Sequence, residues 1–156
     1  MLDILFEDNP NQPRLERVGP AARAVYLVRM FGGQVRNGGF RQFLANSSGD
    51  FTAETLHALR HVGALVSAEL LEQALSVFPG RRVPRKQSDR LLLLFAIDGR
   101  VKELLDKLDH RAYREVDPIE GAGRESLDGL LLAYMQGHAG EVVIAEQDAG
   151  AAPPRD

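Results

Sequence analysis

Apolar residues in this chain recur every three or four positions, and nowhere do they alternate at period two over the length of a strand. Such spacing puts one apolar stripe on each of several helices, so the chain must bury helix against helix. From Pro20, Ala24, Leu27, Val28, Phe31 and Val35 follow this spacing, while Arg23 and Arg29 lie off the stripe. Pro20 suits a first helical position, where its missing N–H would have no partner in any case. Asn37-Gly38-Gly39 is expected to end this helix, because Asn and Gly accept the left-handed conformation of a helix cap.

The same pattern predicts a short helix over Phe40 to Ala45 and a turn at Asn46 to Asp50. Two helices follow, over residues 52–62 and 64–77, joined at Gly63 and stopped by Phe78-Pro79-Gly80. Beyond a basic loop, helices are predicted from Gln87 or Ser88 through Ile97, from Arg100 to Arg111, and from Ser126 to His138. The expected fold is all-α: a single compact bundle of about six to seven helices within residues 1–138. Residues 139–156 read as a flexible tail with little to pack.

At 156 residues, one domain can bury a core without staples, and the absence of cysteine removes disulfides, thiolate nucleophiles and Cys-based zinc sites. Acids occupy the N-terminus where a secretory signal would be basic, and the longest apolar run, Leu91 to Ile97, is far too short to span a bilayer. A cytoplasmic protein without a membrane partner is expected. The net charge is only −3, but it is uneven. Arg81 to Arg90 holds five bases against Asp89, whereas Asp98 to Asp148 holds twelve acids against six bases. The plain reading of both stretches is a solvated surface. The sharper one makes Asp106, Asp109, Glu115, Asp117 and Glu120 an acidic face for a basic partner.

Familiar site signatures are missing: there is no phosphate-binding glycine loop, serine-hydrolase elbow or metalloprotease pair. His57 and His61, four apart on one helix face near Glu54 and Asp50, could hold a metal only if another element closed the site; on a solvated face they are expected to hold none. Ser47 and Ser48 lack a nominated base and are expected to cap a helix. Tyr113 and Tyr134 are expected to pack their rings in the core. The Arg81–Lys86 loop lacks interleaved aromatics, and direct nucleic-acid binding is not expected. No cofactor, metal site or catalytic residue is expected.

The segment from Asn37-Gly38-Gly39-Phe40 to Asn46-Ser47-Ser48-Gly49-Asp50 resembles the signature of a bacterial all-helical family, mostly of unknown function and named for a DNA-mimic protein. With the following helices, the resemblance covers residues 20–138. It implies a helical fold and, for the founding type, binding to a DNA-binding regulator by presenting carboxylates in place of duplex phosphates. Two functions follow as expectations. One is a non-enzymatic protein-binding domain with a DNA-binding regulator or other basic partner, an arrangement compatible with a homodimer. The other is a small-molecule-binding protein or an enzyme, with a polar pocket near Asn37 to Ser48. Its lining would come from Asn37, Gly38, Gly39, Phe40, Gln42, Asn46, Ser47 and Ser48, although amides at Asn37, Gln42 and Asn46 could equally tie neighbouring turns together.

Overall fold

The computed structural model describes residue 15 and residues 18–96, 99–116 and 123–143. Seven α-helices lie among them: α1 (Pro20–Ala45), α2 (Thr52–His61), α3 (Leu65–Ala74), α4 (Gln87–Phe95), α5 (Gly99–Glu115), α6 (Leu127–Gly137) and α7 (Ala139–Val143). No strand occurs among the described residues; Val116 and Glu125 form one isolated bridge. Short 3-10 turns cover Ser47–Phe51, Leu75–Val77 and Pro79–Arg81.

The first helix organises the rest, packing against α2, α4, α5, α6 and α7, while α3 lies against α2 and α5. Its predicted stripe is the reason: Ala24, Leu27, Val28 and Phe31 are all buried. Phe40, Phe43 and Leu44 from its last turns are buried with them, and the Phe31 ring meets Phe43 edge-on at 5.2 Å. Leu59, Leu70, Leu71, Leu94, Leu108 and Leu131 join the same buried cluster from the helices around it. At about 25 cal/mol per Å² of apolar surface removed from water, this shared burial is the main stabilising contribution.

Three expected boundaries differ. Asn37-Gly38-Gly39 does not end α1 but kinks it: Gly38 (φ −156°) and Gly39 (φ +71°) leave helical geometry, and the helix resumes at once. The chain also continues past His138 as α7, which packs on α1 where a tail was expected, because the carbonyl of His138 accepts the Glu141 N–H and starts another turn. Fifth-helix residues run a turn further than predicted, to Glu115, where Arg111 at i−4 pairs with the Glu115 carboxylate. The end predicted at Ile97 lies outside the described residues.

Candidate functional site

The kink in α1 has a local cause and a distant partner. Breaking the helix at Gly38-Gly39 leaves the Phe40 N–H without an intrahelical acceptor. That N–H donates to Asp109 Oδ1 of α5 at 2.8 Å. The carboxylate lies so close to Gly39 that a Cβ there would collide with it. Gly39 is thus required twice, by its positive φ and by this close approach. Burial raises the pKa of Asp109 above the ordinary carboxylate range; the Phe40 N–H opposes that shift, and neighbouring Asp106 adds to it.

Beside the kink opens a cavity of about 350 Å³, within the size range of small-molecule sites. Phe31, Val35, Phe40, Leu70, Ala112, Val116 and Leu127 form its apolar wall, and Arg36, Asn37, Ser67, Asp109 and Tyr113 contribute polar atoms. Gly32 is buried at its edge, where an added Cβ would come within 2.9 Å of a Leu127 methyl group. Tyr113 was expected in the core but is 64 % exposed. Leu105, Leu108 and Ala112 already supply the buried stripe of α5, and Tyr113 falls one position off it.

The amides of the signature tie the two halves of α1 together across the kink. Asn37 Nδ2 donates to Gln42 Oε1 at 3.2 Å, and Gln42 Nε2 donates to Gln34 Oε1 at 2.8 Å. Asn46 Nδ2 donates to the same Gln34 oxygen at 2.9 Å. Ser48 does not cap a helix by accepting an N–H; its buried hydroxyl donates to the Phe43 carbonyl at 2.7 Å, because that carbonyl stands at the frayed end of α1. The N-cap position of the 3-10 turn falls to Asn46, not Ser47, and has no side-chain cap. Of the eight motif residues, only Asn37, Gly38, Gly39 and Phe40 line the cavity.

The turn that closes the signature, with Leu44 before it, holds Arg90, whose side chain is wholly buried. Its guanidinium donates to the carbonyls of Leu44 (2.8 Å), Asn46 (2.9 Å), Pro84 (2.8 Å) and Arg85, and it pairs with Asp50. A Cβ on Gly49 would lie 2.6 Å from Arg90 Nε. The Asn-Ser-Ser-Gly-Asp turn is therefore the receptacle of a buried cation. Elsewhere in the basic loop Arg85 is exposed and pairs with Glu54 at the surface.

The five acids of the expected partner face divide. Asp106 is exposed; Asp109 is turned inward to the Phe40 N–H; Glu115 is held between Arg111 and Arg124, each at 3.0 Å, and hydrogen bonding from Arg111 lowers its pKa. Asp117 and Glu120 lie outside the described residues. His57 and His61 stack face to face at 6.2 Å, and His61 abuts the Tyr134 ring edge-on at 5.5 Å. Tyr134 stacks on His138 at 4.1 Å. Among the described residues no group of three or more His, Asp or Glu is placed to hold a metal, and no helix is long and apolar enough to cross a membrane.

Glu125 escaped sequence reasoning. Its carboxylate accepts the N–H groups of Val66 (2.7 Å) and Ser67 (3.0 Å) and the Ser67 hydroxyl. A signal existed: α3 begins after Gly63-Ala64 with no Ser, Thr, Asp or Asn to cap it, so its first N–H groups needed an acceptor from elsewhere.

A family model described as DMP19-like protein matches residues 16–138, most of the chain. No curated protein and no solved structure matches it.

Proposed function

The chain belongs to the DMP19-like family, and on that footing we propose that it is a non-enzymatic, cytoplasmic protein-binding domain that receives a side chain of its partner in the cavity beside the α1 kink. The observation that carries this reading is Tyr113. A tyrosine 64 % exposed at the rim of an apolar cavity has the character of an interface anchor, offering a large rigid surface and a polar tip. Asp106, Asp109 and Tyr113, at i, i+3 and i+7, share one side of α5, so the mouth combines acid and aromatic.

Charge supports insertion over imitation of duplex phosphates. Duplex DNA carries about one negative charge per 1.7 Å of axis. The described residues carry sixteen Arg and Lys against twelve Asp and Glu, a formal excess of four positive charges. Seven of those acids pair with a base, and Asp109 and Glu125 hold backbone amides. A dense row of unpaired carboxylates has little support among these residues.

The test compares immobilised wild type with Tyr113→Ala in capture from the native host. A specific protein should be retained by the wild type and lost by the variant, with equal melting temperatures for the two. Capture that ignores Tyr113, or no capture at low salt, would remove this reading.

A further inference from the structure

We infer that the cavity beside the α1 kink is a receptor for an arginine side chain. The inference deepens the protein-binding reading and rests on it for the arginine's owner. The wall formed by Phe31, Val35, Leu70 and Leu127 is apolar, as an aliphatic stem requires. Among the described residues, Asp109 is the one anion on the lining. Its Oδ1 is taken by the Phe40 N–H, and no hydrogen bond to Oδ2 is formed among the described residues. The neighbouring charges are Asp106, which is also an anion, and His110, whose Nδ1 is engaged with the Asp106 carbonyl at 2.7 Å. A half-buried carboxylate left in this condition is stabilised by a cation that brings its own donors.

Arg36 does not already serve as that cation. It lines the cavity too, but pairs outward with Asp128 at 3.2 Å. Arg111, two positions from Asp109, is engaged with Glu69 and Glu115.

Arginine fits better than lysine for two reasons. Its planar guanidinium is weakly hydrated and offers several donors in a fixed fork, so it can reach Oδ2 while its plane lies against an aromatic face. Tyr113 stands at the mouth, one helical turn from Asp109, where a ring can cover such a cation. With about 350 Å³ available, there is room for the side chain and part of the backbone that carries it.

The experiment uses the full chain, labelled with ¹⁵N, and blocked pentapeptides of the form Gly-Ser-Xaa-Ser-Gly, in which Xaa is arginine, its neutral isostere citrulline, lysine or glutamate. The arginine peptide should shift the amide resonances of Gly38, Gly39, Phe40 and Tyr113. Citrulline should bind at least tenfold more weakly, lysine should fall between them, and glutamate should produce no shift. Equal binding of citrulline and arginine, shifts confined to other helices, or no shifts at all would overturn the assignment.

Asp109→Asn should erase the arginine–citrulline difference; because this variant could disturb the kink, Tyr113→Ala serves beside it. That exposed change should weaken arginine binding severalfold, and unchanged arginine binding would count against the geometry. The two readings fail separately. Arginine preference without Tyr113-dependent capture removes the protein partner, and capture without arginine preference removes the assignment made here.

Discussion

At the scale of single residues, the most consequential side chain is one that sequence patterning hides. Arg90 belongs to a run of five bases and precedes four leucines, so the phase of the buried stripe in α4 cannot be read. The structure shows Arg90 and Leu94, four apart, as the buried pair of that helix. Its burial is tolerated because the guanidinium meets four carbonyls and Asp50, which together compensate the charge and its donors. Replacing it with a side chain of similar size but no donors leaves those acceptors stranded. Arg90→Met should therefore destabilise the fold by about 3–5 kcal/mol, read as a shift in the urea midpoint. Arg90→Lys should rescue little, since one ammonium cannot reach four diverging carbonyls. A Lys variant as stable as the wild type would show that charge alone matters there. The amides of Asn37, Gln42 and Asn46 were legible as ties between turns, but Gln34, where two of them converge, gave no sign of its role.

At the scale of elements, helix existence was legible and helix ends were less so. Patterning located the α1 break at the right residues, because Asn-Gly-Gly is a local conformational signal. It could not tell an end from a kink, which depends on Asp109 arriving from 69 positions away to hold the freed Phe40 N–H. Glu125 acts likewise for α3, from 58 and 59 positions away. Long-range caps of this kind have no local spacing to reveal them. Two glycines of α1 should consequently respond in opposite ways. Gly39→Val meets both the positive φ and the Asp109 carboxylate, and should cost more than about 1 kcal/mol. Gly33 is exposed and helical, with nothing within 4 Å of an added Cβ. Gly33→Ala should stabilise by about 0.5–1 kcal/mol. Thermal melts of the two variants that move in the same direction would contradict the kink geometry.

At the scale of the whole molecule, the overall charge misleads. The full chain is net −3, yet its described residues carry a formal positive excess, and the seven described acids between residues 98 and 148 do not act alike. Asp109 and Glu115 illustrate this: they lie six positions apart on α5 and should respond to pH with opposite sign. Contacts with Arg111 hold the folded-state pKa of Glu115 below its ordinary value. Its stabilisation is present above the unfolded pKa, about 4.3, and disappears as pH falls through the lowered one. Asp109 is raised by burial, so the folded state keeps its proton more tightly than the unfolded chain does. Its stabilising contribution is present below about 3.9, the unfolded value, and is lost as pH rises through the raised one. Urea unfolding of wild type, Glu115→Gln and Asp109→Asn across acid to neutral pH separates the two. The advantage of wild type over Glu115→Gln should shrink on acidification. The stability of wild type relative to Asp109→Asn should instead fall as pH rises, because Asn keeps an acceptor for the Phe40 N–H without carrying a charge into the cavity wall. Difference curves sloping the same way would mean that the Asp109 carboxylate is not desolvated, and a cavity with a hydrated acid would have no reason to select a cation.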